Sequence, residues 1–182
     1  IDFNTEEVRF ELDESGKPLR VVIKRMRESN KLIEDFMLLA NVRVARFLAK
    51  IHPEKNTPTR PSIYRVHDNP DPEKLQALRV FVRRFGHEMP KPQKGNAESL
   101  IRDLLKATDG TPEEGTVKTM AIRSMAKAEY SSTNIGHYGL SFPFYTHFTS
   151  PIRRYPDVVV HRLLQRYLDG GKDADVSEID AR

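Results

Sequence analysis

The chain has 182 residues and a formal net charge of +4, with 38% hydrophobic and 31% charged residues, enough for one ordinary domain with a real core or a large piece of one. It has no cysteine, which excludes disulfides and thiolate metal sites and fits a reducing cytoplasm; no apolar run approaches the ~20 residues that cross a bilayer, and no signal pattern opens the chain. A pI near 9.3 is compatible with nucleic-acid phosphate as a partner, without requiring it.

The first elements are two short strand-like runs, Arg9 to Asp13 and Arg20 to Lys24. They are joined through Glu14-Ser15-Gly16-Lys17-Pro18, a turn that makes a β-hairpin. A long helix is expected from about Asn30 to Lys50, with Ile33, Met37, Ala40, Val44, Phe47 and Leu48 at three- and four-residue spacing. Ser29 or Asn30 can cap its start, and Pro53 lies beyond its end.

Pro61 to His67 has the pattern of an isolated strand. Asp71-Pro72-Glu73 opens a second helix as N-cap and first turn, with Leu75, Leu78, Val82 and Phe85 on one face and Gly86 as its stop. A third helix is expected from Ala97 to Lys106. Thr111-Pro112-Glu113-Glu114 has the letters of a capping box and predicts a fourth helix reaching about Glu129. Thr133 to Gly136 is a loop, Gly139 to Phe148 is expected to be extended, and a last helix carries Val160, Leu163, Leu164, Tyr167 and Leu168 inward. The fold class is α+β, helix-rich with short antiparallel strands.

The segment from Tyr145 to Asp157, Tyr-Thr-His-Phe-Thr-Ser-Pro-Ile-Arg-Arg-Tyr-Pro-Asp, alternates rings, hydroxyls and cations. Bases stack on rings while cations and hydroxyls bind phosphate, a combination suited to single-stranded nucleic acid. Ser150-Pro151 can be an N-cap and first helical residue, which would place Arg153 and Arg154 in a first turn rich in free N–H groups. Alternatively Pro156, which cannot donate a helical hydrogen bond, starts the regular helix and leaves Ser150 to Tyr155 as a tight turn. The plain alternative to a functional reading is a proline-bounded turn with solvated arginines.

Gly136-His137-Tyr138-Gly139-Leu140, with the stretch from Tyr145 through Asp157 to His161-Arg162, closely resembles the signature of the RNase II/RNase R (RNB) superfamily. Asn30 to Asn41 matches a second block of that family in the expected order, and Tyr64 to His67 and Met125 to Tyr130 match two weaker ones. Arg153-Arg154-Tyr155-Pro156-Asp157 and His147-Phe148 look like the ribonuclease R branch rather than ribonuclease II. The resemblance implies that residues 1–182 are the C-terminal portion of a catalytic domain. The parent would be a processive, Mg²⁺-dependent 3′→5′ exoribonuclease that releases nucleoside 5′-monophosphates.

In that family an arginine of the Ser-Pro-Ile-Arg motif contacts the scissile phosphate, and Arg153 occupies its position. A planar, permanently charged fork suits the charge that builds on the non-bridging oxygens. Arg154 would bind a neighbouring phosphate or an internal carboxylate. Glu34 matches a glutamate that helps to hold the 3′-terminal nucleotide, with Asp35 one residue away as its competitor. Phe3 aligns with an aromatic that clamps the terminal bases, and Phe10 competes for that role. Tyr145 and His147 are further RNA-contact candidates, or else packed beside the arginine turn. His67 and His161 are expected to be structural.

No HxxxH pair or carboxylate cluster suggests a metal site in this chain. The resemblance implies that the family's Mg²⁺-binding aspartates lie upstream of Ile1, and both ends of the chain have the character of cuts in a longer protein. The fragment alone is therefore expected to be inactive. Its expected partner is single-stranded RNA, with no membrane association, in a monomeric cytoplasmic parent. The competing functions are a non-catalytic RNA-binding protein with a degenerate domain of this type and, more plainly, a structural interaction domain.

Overall fold

The computed structural model describes residues 7–24, 27–49, 60–91, 93, 97–175, 177 and 179. The described residues up to Leu39 form one compact unit, and those from Ala40 onward form another.

In the first unit, β1 (Glu7–Leu12) and β2 (Pro18–Lys24) pair antiparallel. Their turn is built by Asp13, whose carboxylate accepts from the N–H groups of Ser15 (2.8 Å) and Lys17 (2.9 Å), and by Gly16 at φ 81°. The register sets Val8 opposite Ile23 and Phe10 opposite Val21. Directly opposed residues share a face, and this apolar face is exposed, Phe10 by 63%. Helix α1 (Glu28–Ala49) starts two residues before the expected Asn30. The Asn30 side chain accepts from the N–H of Arg27 (3.0 Å), so it reaches back to the helix start from inside the first turn. Lys50 and Pro53, the expected end of this helix and the proline beyond it, lie outside the described residues.

The expected apolar stripe of α1 is only partly an inward face. Ile33 and Phe47 are exposed, whereas Asn41, Ala45, Leu48 and Ala49 are buried. Periodicity marks the apolar side of a helix but does not say which part of it is covered.

The second unit holds the core. β3 is only Tyr64–Val66 and pairs antiparallel with β4 (Glu129–Ser131). Helix α2 (Pro72–Arg83) has the expected cap, the Asp71 carboxylate accepting from the N–H of Glu73 at 2.8 Å. Leu75, Leu78 and Val82 face inward as expected, but Phe85 is exposed past the helix end. Gly86, at φ 82°, turns the chain there. Helix α3 spans Ala97–Ala107.

The capping box at Thr111 does not form. Helix α4 runs only Glu114–Ser124 and lacks a side-chain N-cap bond. Thr111 Oγ1 instead donates to Thr108 O (2.8 Å), and the Glu114 carboxylate accepts from the N–H of Gly110 (2.9 Å). The helix stops short of Glu129 because residues 129–131 pair with β3. Between Gly139 and Phe148 the chain is not uniformly extended, since Tyr138–Leu140 form a 3-10 turn. Helix α5 (Tyr155–Leu168) buries Val159, Val160, Leu163 and Tyr167 against Leu48 and Ile63. Of its expected inward residues, Leu168 is exposed and Leu164 only partly buried.

Candidate functional site

The site is a turn fastened to the start of α5. Ser150 O accepts from the N–H groups of Arg153 (3.3 Å) and Arg154 (3.1 Å). The regular helix begins at Tyr155 with Arg154 as N-cap and Pro156 inside the first turn. This is the second of the two arrangements open from the sequence. It costs nothing at Pro156, because the first N–H groups of a helix have no intrahelical partner.

The turn is held by Asp157, which is fully buried. Its Oδ2 accepts from the Ser150 N–H (2.8 Å) and from Arg154 Nη2 (2.9 Å). A carboxylate in the first turn of a helix also opposes the positive end of the helix dipole. Arg154 thus finds the internal carboxylate that was one of its two expected partners. Arg153 does not share it: its side chain is exposed and has no partner among the described residues. Ile152 beside it is fully exposed. The result is a fixed backbone that presents one uncommitted guanidinium.

The segment entering this turn is tied down at almost every residue. Tyr145 O accepts from the N–H of Arg65 (2.9 Å), and Thr146 Oγ1 donates to Ile63 O (2.7 Å). Buried Asn41 spans two points, donating from Nδ2 to Tyr145 Oη (3.1 Å) and accepting from the Phe148 N–H (3.0 Å). The Phe148 ring stacks on His161 at 4.1 Å, and His161 Nε2 donates to Phe148 O (2.9 Å).

Beside the turn lies a ring cluster. Tyr130 Oη is hydrogen-bonded to His147 Nδ1 (2.7 Å), and the Arg65 guanidinium lies 4.6 Å from the Tyr130 ring centre. His147 packs edge-on against Tyr145, which packs edge-on against His137. Burial pushes the His147 pKa down to about 4, with Arg154 adding to the shift and Asp157 opposing it. His137 is also pushed down to about 4, by burial first and then by His67. Both imidazoles are neutral at pH 7, so the cations beside the cluster are arginines. Burial likewise raises the Tyr145 hydroxyl above its usual value.

His67 is saturated. Its Nδ1 accepts from the Gly139 N–H (3.1 Å), which leaves Nε2 to donate to Ala126 O (3.0 Å). A Cβ at Gly139 would stand 2.8 Å from that Nδ1, so the glycine is required by a close approach.

The structure brings Tyr145, His147, Arg153 and Arg154 into one neighbourhood. Tyr145 is buried and His147 half-buried; Arg153 alone of the four is exposed. Glu34 and its competitor Asp35 are exposed on α1, and Phe10 is exposed on β1. Phe3 lies outside the described residues. Sequence reasoning missed Asn41, Arg65 and Tyr130, and did not see Asp157 as the anchor. A buried-side amide in α1 and an acid three residues after Arg154 were the available signals. Among the described residues, no group of three or more His, Asp or Glu side chains could hold a metal ion, and no helix is long and apolar enough to cross a membrane.

Residues 1–170 match the RNB domain. The chain is 38% identical over 170 residues to ribonuclease R of Aquifex aeolicus, covering 93% of this chain and 23% of that protein. It superposes on Mycoplasma genitalium RNase R in complex with ribose-methylated single-stranded RNA with a TM-score of 0.79 and 31% identity, covering 100% of this chain and 28% of that one. Against the same enzyme in complex with double-stranded RNA the TM-score is 0.81 at 30% identity, with 100% and 32% covered. The chain thus spans about a quarter to a third of the length of these relatives. With the arginine turn and its frame inside the matched stretch, the chain belongs to the RNB domain family.

Proposed function

We propose that this chain is the phosphate-stabilising portion of a processive exoribonuclease that hydrolyses RNA from its 3′ end to nucleoside 5′-monophosphates. The observation that carries this reading is the contrast between two adjacent arginines. Arg154 is committed to a buried carboxylate, while Arg153 is exposed in a turn hydrogen-bonded on both sides of it.

Displacement at a phosphodiester adds charge to the non-bridging oxygens. A preorganised guanidinium aimed there stabilises the transition state more than the ground state. Arg153 is the catalytic residue in this reading. Arg154, held by Asp157, adds positive potential to the strand's path, and His147 and Tyr145 form its wall as neutral groups. Glu34, an exposed carboxylate on α1, accepts from ribose hydroxyls of the terminal nucleotide. Phe3 takes the stacking role on the terminal bases.

Mg²⁺ in the complete enzyme would activate the attacking water. Among the described residues no group of three or more His, Asp or Glu side chains could hold it. In this proposal the chain contributes binding and charge stabilisation, and the 182 residues alone are inert. The substrate is single-stranded RNA, and the parent is a monomer of the cytoplasm.

The test is product analysis with the full-length protein on poly(A), labelled at its 5′ end in one reaction and throughout its phosphates in another. The reading expects the end label to pass from full-length RNA to a short 5′ remnant without a ladder of intermediates, and the internal label to appear in 5′-monophosphates. Internal cuts, 3′-phosphate products, or tight binding without hydrolysis would each overturn it.

A further inference from the structure

We infer that Asp157 is a positioning residue for the reaction: its buried carboxylate fastens Ser150 and Arg154 so that Arg153 is held, uncommitted, in its working orientation. The inference rests on the proposed role of Arg153 and goes beyond it, because Asp157 touches no substrate in this account.

Three observations carry it. Asp157 is completely buried, and a buried carboxylate persists only where strong donors meet it. Those donors come from both ends of the turn, the Ser150 N–H at 2.8 Å and Arg154 Nη2 at 2.9 Å, with Arg153 between them in the chain. Arg154 also stands at the N-cap of α5, where the helix dipole disfavours a cation. Asp157, three residues further on, neutralises it. Without that carboxylate Arg154 would be drawn away from the helix end, and the backbone carrying Arg153 would follow. The carboxylate is also what keeps the two arginines in different roles, since it binds one and leaves the other free.

The experiment is a double-mutant cycle in the full-length protein with D157N, R153A and D157N/R153A. Asparagine is nearly isosteric, and its carbonyl oxygen can still accept from the Ser150 N–H, but it lacks the charge that holds Arg154. D157N is expected to lower single-turnover cleavage of poly(A) about 10- to 100-fold, with RNA affinity changed less than about 3-fold. Retained affinity also reports that the variant is folded.

In the R153A background, D157N should cost less than about 2-fold more, because no group remains for it to position. Independent, multiplicative losses would overturn the positioning role, as would equal losses in turnover and affinity. Full turnover by R153A alone would sink the catalytic reading instead, so the two failures are distinguishable. If D157N does not fold, D157E takes its place in the same cycle. It keeps the charge but shifts the contact, and the same loss of turnover with non-additivity is expected. Wild-type turnover in a folded D157E would overturn the inference.

Discussion

Replacing Asn41 with alanine tests the frame that carries the arginine turn. Asn41 is 3% exposed, and its amide is the common partner of two groups in the segment leading to Ser150, Tyr145 Oη at 3.1 Å and the Phe148 N–H at 3.0 Å. Truncation strands both. Leaving a buried donor or acceptor unpaired costs about 1–3 kcal/mol. The Tyr145 hydroxyl can rotate and sits low in that range, so the sum is about 2–4 kcal/mol by the same principle. With a mid-range urea dependence of about 2 kcal/mol per molar, the transition reporting on this domain should move down by about 1–2 M. The assay is urea unfolding of the full-length protein followed by circular dichroism. A loss below about 0.5 kcal/mol, the level of an ordinary surface substitution, would mean that Asn41 does not hold the segment, and the rigid-frame argument would fall.

Other outcomes follow from the same contacts. G139A should destabilise by about 1–3 kcal/mol, as overpacking does, because its Cβ would meet His67 Nδ1 at 2.8 Å and both His67 nitrogens are already engaged; an unchanged thermal midpoint would contradict this. Acid should weaken the fold through His137 and His147, whose pKa values stand at about 4 in the folded state against about 6.5 unfolded. The stability they contribute is complete above about pH 6.5 and is lost as pH falls from there toward 4, since the unfolded chain binds the protons first. Thermal midpoints measured across that window should fall, and should fall less steeply in an H137N/H147N variant; an identical slope would assign the effect to other groups.

The sequence discloses the elements that local chemistry decides. Asp71 followed by Pro72 and the spacing of Leu75, Leu78 and Val82 specify α2 with its cap, and Gly16 beside Asp13 specifies the hairpin turn. Features set by distant partners are not legible in this way. Thr111 has the right neighbours for a capping box, yet its hydroxyl turns back to Thr108. Helix α4 ends early because residues 129–131 are claimed by a strand about 65 positions away in sequence. The exposed Ile33 and Phe47 show the same limit on α1.

At the site, Arg153 is singled out by its motif, while Asp157 reads in sequence as one more acid in a charged run. Only burial, and two donors arriving from either side of Arg153, reveal what it does. Asn41 is comparable, a polar residue near the end of a matching block whose two partners lie more than 100 residues away.

The central claim is that Arg153 acts on the transition state. Its most direct test is the single-turnover cleavage rate of poly(A) by the full-length protein and its R153A and R153K variants, measured together with RNA affinity. The account predicts that R153A slows cleavage by about 10²–10³-fold, the size expected for one preorganised charge donor, while affinity changes only a few-fold. Lysine should restore little, because a point charge does not reproduce the planar fork. Equal losses in rate and affinity would show instead that Arg153 only holds the strand.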